Sequence, residues 1–158
     1  MTLETNLREA RADELDTLIR LVHGIGILEA DEVDTFATMI AGTIAGAMPG
    51  HRWFVLDGGA LLGCAYAAPG EFQTDVWDLW FIGLVPGARR TGGGRRLVIA
   101  VEEAARAAGA RMLIVETGGA AKFAGARAFY LALGYHEEAR VRDYYAPGDD
   151  KVIYRRVF

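Results

Sequence analysis

Three consecutive glycines fenced by arginines, in the segment Arg89-Arg90-Thr91-Gly92-Gly93-Gly94-Arg95-Arg96, constrain this 158-residue chain more than any other feature. They follow the strand-like run Val76–Val85 (VWDLWFIGLV), which is rich in aromatic and β-branched residues. They precede a helical pattern over Gly94–Ala108, where Leu97, Val101, Ala104, Ala105 and Ala108 share a face and Gly109 stops the helix. A glycine turn from strand to helix leaves main-chain amides unpaired at the positive end of the helix dipole, and such a place binds anions. The charge distribution agrees. No acidic residue stands between Val85 and Val101, whereas residues 1–50 carry nine acids against Arg8, Arg11 and Arg20. A cationic cluster inside a chain of net charge -4 points to one bound anion and not to a nucleic-acid surface. The dinucleotide fingerprint G-x-G-x-x-G is not met, and no Gly-Lys-Ser/Thr of a Walker loop occurs. What the segment does contain is Arg-x-x-Gly-x-Gly.

The rest of the chain reads as one domain over residues 1–158, without repeats or low-complexity linkers. Leu3–Ala10 is a first strand. Asp13 then caps a helix whose apolar residues Leu15, Leu18, Ile19 and Val22 recur at helical spacing, and a second helix covers Asp31–Ala47. Arg52–Leu56 and Ala60–Ala68 are apolar runs joined by Asp57-Gly58-Gly59, a hairpin signal. The isolated Gly83 in the long aromatic run marks a bulge or a close backbone approach. Met112–Glu116 is a short strand, a helix carrying Ala126, Phe129, Tyr130 and Leu133 on one stripe ends at Gly134, and Tyr135–Tyr144 and Val152–Phe158 are final strands. The order is βααβββαβαββ.

On these residues the chain resembles the GNAT superfamily of N-acetyltransferases. The family's pyrophosphate loop reads Q/R-x-x-G-x-G/A between a bulged fourth strand and the third helix, and Arg89, Gly92 and Gly94 fill those positions here. The stretch Arg127-Ala-Phe129-Tyr130-Leu-Ala-Leu-Gly134-Tyr135 is similar to the family's R-x-F-Y-x-x-x-G-F/Y, and the element order matches over nearly the whole chain. The resemblance implies an α/β fold with a mixed, mostly antiparallel central sheet and helices on both faces. It also implies transfer of an acetyl group from acetyl-CoA, as co-substrate, to a primary amine of a small molecule or peptide.

The same resemblance distributes the work among residues. The amides of Gly92, Gly93, Gly94 and Arg95, with Thr91 in the same loop, would hold the pyrophosphate, and Arg89 and Arg90 would add charge. Backbone groups of Leu84 and Val85, freed from pairing by a splay beyond Gly83, would grip the pantetheine arm and polarise the thioester. Tyr130 would protonate the leaving thiolate. For the base there are two candidates: Asp78, eleven residues before Arg89 and flanked by Trp77 and Trp80, and Glu71. Desolvation by the tryptophans would raise the Asp78 carboxyl toward a useful range. Many members carry an asparagine seven residues before the helix tyrosine. That position is Phe123 here, which leaves its cofactor contact to Thr117. Two rivals remain: an acyl-CoA-binding module without a working base, and a nucleotide-binding domain that uses the same loop.

Composition narrows the class further. With 52% apolar and 24% charged residues the chain is globular, and the single Cys64 can form neither an internal disulfide nor a cysteine zinc cluster. His23, His51 and His136 are scattered, so no metal is expected. The longest uncharged run, Phe36–Gly50, is too short to span a membrane, and the N-terminus has no secretory pattern. The expectation is a cytoplasmic enzyme with no nucleic-acid or membrane partner. A homodimer is allowed, since GNAT members are often dimers. The acidic first 50 residues favour a cationic acceptor or are simply a solvated face.

Overall fold

A computed structural model of the chain describes residues 4–158, so the expected strand start at Leu3 lies outside the described residues. The elements follow the expected order: β1 (Asn6–Glu9), α1 (Leu15–Ile25), α2 (Ala30–Ile44), β2 (Arg52–Asp57), β3 (Leu61–Pro69), β4 (Val76–Leu84), α3 (Gly93–Ala107), β5 (Met112–Gly118), α4 (Ala124–Ala132), β6 (His136–Ala146) and β7 (Asp149–Val157). Short 3-10 turns precede α1, α3 and α4. The strands lie in the order β1-β2-β3-β4-β5-β7-β6. Pairing is parallel between β4 and β5 and antiparallel at β1/β2, β2/β3, β5/β7 and β6/β7. No described helix is long and apolar enough to cross a membrane.

Contacts divide the chain into two units, the first holding the chain up to Ala68 together with Phe81–Ala104, the second Pro69–Trp80 with Ala105–Phe158. In the first unit, α1 buries Leu18, Leu21, Val22 and Ile25, which recur at helical spacing. They pack in one core with Ile40, Val55 and Cys64, so the lone thiol is a buried apolar filler. Trp53 stacks on Tyr66 with centroids 4.7 Å apart, and Phe36 of α2 meets both rings edge-on. The cap of the first helical segment differs from expectation. Asp13 lies inside the 3-10 turn, and it is Glu14 whose carboxylate accepts from the Arg11 amide at 2.8 Å. Arg8 donates to the same carboxylate at 2.6 and 2.9 Å and holds the Glu14 carboxyl down at about 2, well below the usual range.

Two glycines in this unit mark close approaches. A Cβ on Gly83 would come within 2.6 Å of Ile25 Cγ2, so the glycine in the aromatic strand is there to admit the end of α1. A Cβ on Gly63 of β3 would lie 2.8 Å from the Gly83 carbonyl oxygen. The turn residues Asp57-Gly58-Gly59 close the β2–β3 hairpin as expected. The Asp57 carboxylate accepts from the Gly59 amide at 3.0 Å.

In the second unit, β5 pairs with Val76–Leu79 of β4 on one side and with β7 along its whole length on the other. Strand alternation sorts the side chains. Trp77, Leu79, Leu113, Val115, Val152 and Tyr154 form a buried face, while Asp78, Ile114, Glu116, Lys151 and Ile153 share the other. Helix α4 lays Tyr130 on the buried face, with ring centroids 5.8 Å from Tyr154 and 6.0 Å from Tyr135. Gly134, in the left-handed region at φ +88, ends the helix and lets the chain turn into β6.

Candidate functional site

The glycine–arginine loop lies in the first unit, where the sequence places it, between β4 and α3. Its shape comes from residues in the left-handed region: Arg90 at φ 62 and Gly92 at φ 84. Only glycine adopts that region freely, so Arg90 carries local strain, the kind of backbone found at ligand clamps. Thr91 donates its hydroxyl to the Ala88 carbonyl at 2.6 Å and so steadies the turn. Gly92 has open space where a side chain would stand, whereas Gly93 is buried and a Cβ there would come within 2.7 Å of Leu56 Cδ2. One glycine serves the fold, the other leaves the backbone bare. The intrahelical bonds of α3 begin with the Arg96 amide donating to the Gly92 carbonyl at 3.2 Å. The amides of the preceding residues have no place in that ladder.

The four arginines divide into two pairs. Arg89 donates to the carbonyls of Ile25 at 3.0 Å and Leu84 at 3.4 Å, bracing the loop against α1 and the end of β4. Arg96 reaches back to the hydroxyl and, at 2.9 Å, the carbonyl of Thr5. Arg90 and Arg95 are exposed and, among the described residues, form no hydrogen bond, ion pair or ring contact. Two uncommitted guanidinium groups therefore flank bare backbone at a helix N-terminus. That arrangement suits a phosphate.

The backbone at the end of β4 is less free than the sequence suggests. Among the described residues the β4–β5 pairing covers Val76–Leu79 and stops, which is the splay expected near Gly83. Val85 is nonetheless engaged on its β3 side: its amide donates to Leu62 O at 2.8 Å and its carbonyl accepts from Ala88 N at 2.9 Å. The expectation that Val85 is unpaired is corrected on this point, because β3 extends past the splay. The Leu84 carbonyl accepts a long contact from Arg89 at 3.4 Å.

The remaining candidates lie in the second unit. Tyr130 is 5% exposed, and burial pushes its phenol up, so the hydroxyl stays protonated across the neutral range. Arg127, three residues earlier on α4, donates to the carbonyls of Gly118 and Ala120 at 2.8 and 2.9 Å and ties the helix to the end of β5. Asp78 is half-buried on the opposite face, where burial first and the Glu116 charge second raise its carboxyl to about 6. Glu71 sits on the exposed turn between β3 and β4. Thr117 is half-buried on β5, in register with Val152 of β7.

A cluster around Glu116, on the face that Asp78 shares, escapes a reading of the sequence. Glu116 pairs with Lys151 at 2.9 Å, and the Lys151 ammonium stands 3.9 Å from the centre of the Tyr144 ring. Alternation within Met112–Gly118 puts Glu116 two residues from Ile114, the register partner of Asp78. That pattern is visible in the sequence only once β5 is known to run parallel beside β4. Among the described residues no group of three or more histidine, cysteine, aspartate or glutamate side chains could hold a metal ion.

In the first unit the loop between strand and helix suits an anion, and in the second a buried tyrosine and a raised carboxyl stand on opposite faces of one sheet. Comparison with known proteins gives the class, an acetyltransferase. The profile of the Acetyltransferase (GNAT) family matches residues 16–135, and the chain belongs to that family. Among solved structures, one assigned to the GNAT acetyltransferases, from Desulfovibrio desulfuricans, is 28% identical with a TM-score of 0.90, covering 98% of this chain and 99% of that one. The ribosomal-protein-S18-alanine N-acetyltransferase of Escherichia coli is 20% identical with a TM-score of 0.78, over 98% and 94% of the two chains. The PaiA N-acetyltransferase of Thermoplasma acidophilum, solved in complex with coenzyme A, is 14% identical with a TM-score of 0.75, over 98% and 99%. A search of curated protein sequences finds no match.

Proposed function

We propose that residues 1–158 form one acetyltransferase domain that moves the acetyl group of acetyl-CoA to a primary amine of a small molecule or peptide, in a ternary complex in the cytoplasm. The observation that carries this reading is the bare loop at the start of α3 with Arg90 and Arg95 uncommitted beside it. Acetyl-CoA supplies an acyl group activated as a thioester. The amides of Gly92, Gly93, Gly94 and Arg95 hold its pyrophosphate, Arg90 and Arg95 neutralise it, and Arg89 and Thr91 keep the loop in shape. The Leu84 backbone positions the pantetheine arm, and Thr117 takes the contact that Phe123 cannot make. Asp78 accepts the proton that the amine gives up as its nitrogen bonds to the carbonyl carbon. Tyr130 gives a proton to the sulfur as the carbon–sulfur bond breaks.

Tyr130 packs on Tyr154 and Asp78 shares the face of Ile114. Direct attack by the amine is favoured over a covalent acyl-enzyme on cysteine. Among the described residues the one thiol is buried, and burial pushes it far above the range of a nucleophile. Asp78 is favoured over Glu71 as base because burial has brought it to about 6.

The test is kinetic. Acetylation of a panel of primary amines, read by mass, should show intersecting initial-rate patterns in acetyl-CoA and amine. The rate should climb with pH through about 6 as Asp78 ionises. Asp78→Asn is expected to lower the rate by about 10²-fold and to remove that rising limb. A limb preserved in Asp78→Asn transfers the role to Glu71, and the absence of any acetylated amine overturns the reading.

A further inference from the structure

Along β4 every residue is buried or half-buried except Trp80, which is 56% exposed in the interior of a central strand. It is the first residue beyond the β4–β5 pairing, whose register ends at Leu79 with Val115, so it stands where the sheet opens. Among the described residues its side chain makes no hydrogen bond and no ring contact. A tryptophan so placed leaves apolar surface in water that a bound molecule would cover. Strand alternation puts it on the face of Asp78, about 7 Å further along the strand. That face also carries the half-buried Ile114 and Ile153. The other charges there are closed in pairs, Lys151 with Glu116 at 2.9 Å and Arg155 with Glu138 at 2.7 Å. The Asp78 carboxylate, among the described residues, forms neither a hydrogen bond nor an ion pair. The face therefore offers one uncommitted carboxylate beside apolar surface.

We propose that Trp80 selects the acceptor: its indole receives an apolar or aromatic group while Asp78 receives the amine that the group carries, so the acceptor is a primary monoamine and not a polyamine. The inference rests on acetyl transfer with Asp78 as base, and adds the class of amine. Charge complementarity carries it. One ammonium is matched by one carboxylate, whereas a second ammonium meets no unpaired anion on this face and loses hydration beside Lys151. The spacing agrees. An ammonium at Asp78 with its carbon group over Trp80 bridges about 7 Å, within the reach of an arylalkylamine. An aromatic group meets the indole offset or edge-on, and an aliphatic one covers its face. Two sources offer this chemistry, a free arylalkylamine and the amino terminus of a peptide that begins with an apolar residue.

The experiment compares phenethylamine, a tripeptide beginning with phenylalanine, ethylamine and spermidine as acceptors for the wild type, Trp80→Ala and Trp80→Phe. It also follows the Trp80 indole N–H resonance by NMR as each amine is added, with and without CoA. One of the two phenyl-bearing amines should exceed spermidine by about tenfold or more in kcat/KM, and the better of the two identifies the source. Trp80→Ala should lower kcat/KM for that amine by about tenfold, chiefly through KM, and leave ethylamine within about twofold. Trp80→Phe, which keeps an aromatic face, should retain most of the preference. The indole resonance, assigned by its absence from Trp80→Phe, should move with the phenyl-bearing amine and stay still with spermidine. A preference for spermidine, an undiminished preference in folded Trp80→Ala, or an unmoved resonance overturns the proposal. A dimer in sedimentation that Trp80→Ala dissociates, with an unmoved resonance, gives the face to a second copy and overturns it too. Acetylation of no amine refutes the transfer reading instead, and the resonance, read without turnover, still decides whether Trp80 binds the apolar amine.

Discussion

Replacing Tyr130 with phenylalanine is expected to cut the turnover of acetyl transfer by about 10²–10³-fold while the affinity for acetyl-CoA changes by less than about twofold. The substitution removes one hydroxyl and nothing else. The ring keeps its neighbours Tyr135 and Tyr154, and the backbone of α4 stays tied to β5 by Arg127. A loss confined to kcat therefore reports a group that acts as the thiolate leaves, whereas a loss of Tm reports packing. The structure makes this separation necessary, because Tyr130 is both a buried member of an aromatic cluster and a phenol kept protonated by that burial. Unchanged turnover in a folded Tyr130→Phe protein assigns the tyrosine to the core alone.

The second large effect is on binding. The double variant Arg90→Ala, Arg95→Ala is expected to weaken acetyl-CoA by about 10–100-fold, since a hydrogen bond to a charged group contributes about 1.5–3 kcal/mol. It should also flatten the dependence of affinity on salt, because charge that screening acts on has been removed. Stability should not move, as both side chains are exposed and, among the described residues, without partners. Arg89→Ala and Arg96→Ala behave differently: each deletes a brace to Ile25, Leu84 or Thr5, and the loss there is in loop order as well as in charge. Wild-type affinity in the double variant contradicts the loop assignment.

That contrast shows what the sequence could and could not disclose. The element order was legible because its punctuation is chemical. Gly26, Gly46, Gly109 and Gly134 stand at helix ends in the left-handed region, and Asp57-Gly58-Gly59 makes the turn it resembles. The place of the loop was legible because its glycines separate an aromatic, β-branched run from a helical pattern. Which arginine faces the ligand was not. Arg89, at the position the family motif marks, is occupied by two carbonyls that only the fold brings near it, one of them 64 residues away in sequence. Val85 departs from expectation for the same reason, its amide being taken by Leu62 of β3. Asp13 has the residue type of a cap, but Glu14, one residue on, has Arg8 and the Arg11 amide to hold it. The Glu116–Lys151 pair was invisible, because its members become neighbours only when β5 pairs antiparallel with β7.

One ligand decides the function of the glycine–arginine loop. Calorimetric titration of the purified protein with acetyl-CoA, with CoA and ATP as comparators, tests it most directly. Micromolar binding of acetyl-CoA and of CoA with none of ATP is the expected result. Tighter binding of ATP, or no binding of acetyl-CoA, contradicts the assignment of the Arg89–Arg95 loop to a CoA pyrophosphate and with it the proposed acetyl transfer.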